Sequence, residues 1–113
     1  MINIVMTPAP TADQMLDALG NQIRRDIVML LREKPQPVGT LAEQLPISRP
    51  AVSKHLRILQ EAGLVTHQEK GVSNIFHLRP AAFRDLTLYL DMFWDEALER
   101  FKRAAEELSQ DTL

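Results

Sequence analysis

The stretch Ile47-Ser-Arg-Pro-Ala-Val-Ser-Lys-His-Leu-Arg-Ile-Leu-Gln-Glu-Ala-Gly-Leu-Val65 decides the fold. Ser48 stands where a helix N-cap belongs, and Pro50 is tolerated in the first turn because the amides there have no intrahelical partner. Val52, Leu56 and Leu59 recur at helical spacing and make an inward stripe, while Arg49, Ser53, Lys54 and Arg57 fall on the opposite side. Gly63 is a C′ glycine, so the helix is expected over 49–62. Upstream, Val38 to Leu45 reads as a shorter helix with Leu41, Ala42 and Leu45 apolar, closed by Pro46. Only Pro46 to Ser48 joins the two, which is a helix-turn-helix.

Beyond Gly63 the period changes. Leu64, Val65 and Thr66 open a strand-like run, Asn74 to Leu78 supplies a second, and Glu69 to Ser73 between them holds the turn glycine Gly71. A helix-turn-helix followed at once by a hairpin is the winged-helix arrangement, in which the second helix enters the DNA major groove and the hairpin reaches beside it. Short polar and basic groups on the N-terminal half of helix 49–62 suit base edges and phosphates. The expected fold is therefore mainly α with a small β-hairpin: helix-turn-helix about 38–62, wing 64–78.

Two helices precede this unit. Thr11 caps one that stops at Gly20, with Met15, Leu16 and Leu19 on its apolar side. Asn21 caps the next, where Ile23, Ile27, Leu30 and Leu31 face inward and Arg24, Arg25, Asp26, Arg32 and Glu33 read as a solvated face, with a phosphate contact from Arg24 or Arg25 as the alternative. Lys34-Pro-Gln-Pro37 ends it, since two prolines remove donors and push their predecessors out of the α region. Residues 1–10, with Pro8 and Pro10 and no helical period, read as a flexible arm ahead of one domain over 11–113. Pro80 starts a long helix, about 80–109, whose apolar positions Phe83, Leu86, Leu90, Phe93, Ala97, Phe101, Ala104 and Leu108 keep close to a coiled-coil rhythm. Trp94, Leu98 and Ala105 form a neighbouring ridge. Two apolar faces on one helix imply that one packs on the domain and the other on a second copy of the chain.

Charge and composition narrow the function. The chain of 113 residues carries 13 Lys and Arg against 15 Asp and Glu, a formal −2. That average hides a polarity: residues 48–79 hold five cationic against two acidic side chains, and residues 80–113 hold four against eight. There is no cysteine, which excludes disulfides, thiolate metal sites and a cysteine nucleophile. No stretch approaches the roughly 20 apolar residues of a membrane span, and the apolar run at Met1 to Met6 is too short for a signal segment, so a soluble cytoplasmic protein is expected. Ser53 lacks a base and an orienting acid, and the four glycines form no phosphate loop, so an enzyme is not expected. His55 sits between the apolar stripe and the polar side and reads as a structural, hydrogen-bonded residue, with DNA contact or pH sensing as the alternative. His67 and His77, on opposite hairpin strands, read as possible cross-strand neighbours without a third metal ligand.

The segments Leu16 to Leu31, Val38 to Leu45 and, most of all, Ile47 to Val65 resemble the ArsR/SmtB family of bacterial transcriptional regulators. The resemblance covers roughly residues 12–108. It implies a homodimer built through the first and last helices, double-stranded DNA with a palindromic operator as partner, and repression of its own or adjacent genes. By position it implies DNA contacts from Val38, Ser48, Arg49, Pro50, Ser53 and Lys54, a phosphate contact from Arg57, and a wing contact from Lys70. The family often has a basic residue after the wing glycine, where this chain has Val72. It implies a dimer seam from Leu16, Leu19, Phe83, Leu90, Phe93, Trp94, Ala97 and Phe101. Metal-sensing members place Cys on the supporting helix, or His and carboxylates on the last one. Here the supporting helix has no Cys and the last helix no His, so the expectation is a member without metal or other cofactor. The alternative function is a winged-helix module that binds a partner protein.

Overall fold

Polar caps start the first two helices. In α1 (Ala12–Leu19) Thr11 Oγ1 accepts from the Gln14 amide at 3.2 Å, and Gln14 Oε1 accepts from the Thr11 amide at 2.9 Å. This reciprocal box satisfies two otherwise orphaned donors. In α2 (Gln22–Glu33) Asn21 Oδ1 accepts from the Arg24 amide at 3.1 Å. Met15, Ala18, Ile27 and Leu31 from these helices are buried, as their spacing requires. The structure, a computed structural model, describes residues 11–111. The arm expected over residues 1–10 lies outside the described residues.

The Pro-Gln-Pro segment ends α2 as expected, but it is not simply a breaker. Gln36–Pro37 forms a short strand, β1, and the fold gains a third strand that sequence reasoning did not foresee. It pairs antiparallel with the second wing strand, Gln36 opposite Phe76 and Pro37 opposite Ile75. Pro37 has no amide to donate, which an edge strand tolerates. Gln36 is only 2% exposed, and its side chain is fully used. Its Nε2 donates to the Leu30 carbonyl at 2.9 Å and the Lys34 carbonyl at 3.3 Å, while its Oε1 accepts from Gln44 Nε2 at 2.8 Å. The end of α2 is thereby tied to the helix-turn-helix.

That unit comprises α3 (Val38–Glu43), two residues shorter than expected, and α4 (Arg49–Glu61). Ser48 Oγ caps α4 by accepting from the Ala51 amide at 3.3 Å. At its far end the Leu64 amide bonds the Leu59 carbonyl and the Gly63 amide the Gln60 carbonyl, both at 3.0 Å. This Schellman closure needs a left-handed residue, and Gly63 supplies it with φ of 78°. Leu41, Val52, Leu56, Leu59, Leu64 and Val65 are fully buried and, with Ile27, form the centre of the core.

The wing is longer than the two runs suggested. Strands β2 (Val65–Lys70) and β3 (Ser73–Leu78) pair from Val65–Leu78 down to Lys70–Ser73, leaving Gly71-Val72 as the turn. Gly71 takes φ of 61° there. The sheet order is β1-β3-β2.

The last helix, α5 (Pro80–Asp111), has 32 residues and so spans about 48 Å at ~1.5 Å per residue. Its start belongs to the domain: Ala82 and Leu86 are buried and Phe83 packs against the same core. From Leu90 onward every residue through Gln110 is exposed. The radius of gyration is 20.0 Å, where a compact chain of this length has about 13 Å. The helix therefore runs clear of its own domain.

Candidate nucleic-acid interface

The stripe that buries Val52, Leu56 and Leu59 turns the other side of α4 outward. Arg49, Pro50, Ser53, Lys54 and Arg57 are all exposed on it. Lys70 is exposed at the wing tip, beside a fully exposed Val72. Among the described residues, none of Arg49, Lys54, Arg57 and Lys70 has a carboxylate within salt-bridge distance. Four cations unpaired by the protein itself make a surface suited to phosphates. The Arg49 guanidinium lies across the start of α3: a Cβ on Gly39 would sit 3.8 Å from its Cζ. Ser48 is exposed and already caps α4, leaving its hydroxyl hydrogen free to donate outward. Val38 is half-buried and packs against the core, so only part of it reaches this surface.

The seat of α4 involves residues that the hydrophobic period did not single out. Arg24 Nε donates to the Ala18 carbonyl at 2.6 Å and Nη2 to the Asp17 carbonyl at 3.5 Å. Arg25 Nη1 donates to the Leu19 carbonyl at 2.8 Å. The expectation of a solvated face is thus corrected for Arg24, which is half-buried, while Arg25 stays exposed; both guanidinium groups cap the carbonyl end of α1. A signal was present, since cations in the first turn of α2 oppose that helix's own dipole but suit the C-terminus of a helix just before it. Arg24 Nη1 also lies 3.4 Å from His55 Nδ1 in α4. Burial, then the Arg24 and Lys54 charges, hold the His55 imidazole below its ordinary pKa of 6.5.

The other histidines do not face each other. His67 stands opposite Phe76 and His77 opposite Thr66, so pleat alternation puts the two rings on opposite faces of the sheet. This corrects the reading of them as cross-strand neighbours. His67 packs on Phe76, ring centroids 5.2 Å apart, with Nδ1 3.4 Å from Gln60 Oε1. Among the described residues no three His, Asp or Glu side chains converge as a metal site.

A second surface lies along α5. Phe93, Trp94 and Phe101 are 57%, 66% and 73% exposed, and Leu90 before them and Ala97 among them are exposed too. Leu16 of α1 is also exposed. Leu19 and Phe83, expected in the same seam, pack against the chain's own core and leave only part of their surface outward. No helix among the described residues is long and apolar enough to cross a membrane.

A basic helix presented by a helix-turn-helix, with a three-stranded wing beside it, defines a winged helix-turn-helix regulator. Residues 21–67 match the family model described as bacterial regulatory protein, arsR family. The chain is 37% identical over 107 residues to the HTH-type transcriptional regulator Rv2034 of Mycobacterium tuberculosis, covering 95% of this chain and 100% of that protein. It is 30% identical over 73 residues to the transcriptional repressor SdpR of Bacillus subtilis, covering 65% and 81% of the two chains. An ArsR-like transcriptional regulator from a Rhodococcus species superposes with a TM-score of 0.71 at 30% identity, covering 83% of this chain and 92% of that one. The chain belongs to the ArsR family of bacterial transcriptional regulators.

Proposed function

We propose that the protein is a homodimeric repressor that binds a palindromic operator in double-stranded DNA, in the cytoplasm, and controls its own or adjacent genes. The observation that carries this reading is the exposed face of α4, where Arg49, Lys54 and Arg57 have no acidic partner among the described residues. With α4 in the major groove, Arg49, Pro50, Ser53 and Lys54 meet base edges and Ser48 and Arg57 meet phosphates. Val38 flanks the groove, and Lys70 supplies the wing contact.

The dimer follows from α5. A row of aromatic and aliphatic groups on a helix that has left its domain is covered by the same row of a second copy, with Leu16 of α1 beside it. Two-fold symmetry then sets two copies of α4 about one DNA turn apart, ~10 bp between half-site centres. A bound dimer occludes its site, and the relative named a transcriptional repressor supports that sense of regulation.

Selection of bound fragments from genomic DNA tests this. An inverted repeat with that half-site spacing is expected. Recovery of no common sequence would contradict sequence-specific binding and leave the α4 face as a protein-binding surface.

A further inference from the structure

Arg24 joins three helices at a point the DNA contacts do not explain. Reaching from α2, it holds the Ala18 and Asp17 carbonyls in the last turn of α1 and places Nη1 3.4 Å from His55 Nδ1, midway along α4. A guanidinium only donates, so Nδ1 must be the unprotonated, accepting nitrogen and the ring hydrogen sits on Nε2. The junction therefore exists only while His55 is neutral. His55 is half-buried between Lys54 and Leu56, on the helix that carries the cationic face.

We propose that Arg24 is a positioning residue for α4: it clamps the reading helix to the end of α1 through neutral His55, and protonation of His55 releases the clamp and weakens DNA binding. The clamp stands on the geometry; its effect on DNA rests on the function proposed above.

The charges around the ring favour the neutral form. Arg24 faces it from α2 and Lys54 from α4, and burial opposes charging it further. Asp17 of α1 and Glu61 of α4 line the same groove as Arg24 and are the acidic groups nearest this junction on those helices. An imidazolium would lose the Arg24 hydrogen bond and set two cations against each other. Were His55 instead a phosphate contact, protonation would strengthen DNA binding. The two roles thus have opposite signs.

Two measurements decide between them. Long-range 1H–15N correlation on the DNA-free protein reads the His55 tautomer during a pH titration. The clamp requires the Nε2–H form, a midpoint below 6.5, and backbone shifts from Ser53 to Arg57 that move with that midpoint. In Arg24→Met the midpoint rises toward the ordinary value. A second arm uses fluorescence anisotropy with a duplex from the genomic selection, comparing wild type with His55→Asn, whose Oδ1 takes the place of Nδ1 and can accept from Arg24 but cannot be protonated. The ratio of the wild-type to the His55→Asn dissociation constant should be near one at alkaline pH and rise steadily in acid. An Nδ1–H tautomer, a midpoint unmoved by Arg24→Met, a flat ratio, or a ratio that falls in acid would each overturn the proposal. Failure of either protein to bind the duplex contradicts the DNA-binding function, while the DNA-free titration still decides the clamp.

Discussion

Replacing Phe93 with Glu should split the dimer without unfolding the protomer. Phe93 is 57% exposed in the single chain, and no core residue depends on it. A phenylalanine presents about 200 Å² in all, so about 110 Å² of this ring is left for a partner to cover. At ~25 cal/mol per Å² that is about 3 kcal/mol per copy, and two-fold symmetry doubles it to about 6 kcal/mol. A loss of that size raises the dimer dissociation constant by up to about 10⁴-fold, and a repacked seam still leaves about 100-fold. The new carboxylate also adds to a helix that is already acidic. Sedimentation velocity over a dilution series reads the change directly. Trp94 offers a second probe, as the single tryptophan and 66% exposed in the protomer: wild-type emission should shift red on dilution, while the variant is red throughout. Circular dichroism should be unchanged. A folded variant with wild-type mass at every concentration would refute the placement of the seam on this face of α5.

Three further outcomes follow from the same structure. Arg49→Ala should relax discrimination among operator variants by about 1–3 kcal/mol if its guanidinium pairs with a guanine, while Arg57→Ala should weaken all sequences alike and flatten the salt slope by about one per protomer; competition binding separates the two. Gly39→Ala should raise stability by about 0.5–1 kcal/mol in thermal unfolding, because Gly39 sits inside α3 without a positive φ and a Cβ there meets only the Arg49 guanidinium at 3.8 Å. Fold stability should decline as pH drops below 6.5, because the unfolded chain protonates His55 there while the native state resists it; His55→Gln should show less of this loss in denaturant titrations at several pH values.

The parts of the fold with local causes were legible in the chain itself. Helical spacing and the Ser48 and Gly63 signals mark α4 nearly to the residue, because a cap or a left-handed glycine acts within one turn. Strand β1 was not legible: two residues between prolines have no period, and they pair only because the wing arrives beside them. Gln36 likewise reads as a polar linker residue until its amide meets Leu30, Lys34 and Gln44. At the site, the exposed face of α4 follows from its stripe. The Arg24 junction depends on how α1, α2 and α4 cross, which no single-helix pattern encodes. The rhythm of α5 continues unbroken from Phe83 to Leu108, yet the structure divides it: its start is core and the remainder is open surface. A repeating pattern identifies an apolar face but not which molecule covers it.

The most direct test of the account is the salt dependence of operator binding by the intact chain. Arg57 and Lys70, the exposed cations left for the DNA backbone once Arg49 and Lys54 meet base edges, give a dimer four phosphate contacts, which would set a slope of log K against log salt of about −4. Affinity for the selected duplex should therefore fall about 100-fold between ~50 and ~200 mM salt. An affinity that holds constant over that range would contradict the claim that the α4 face and wing bind DNA through these residues.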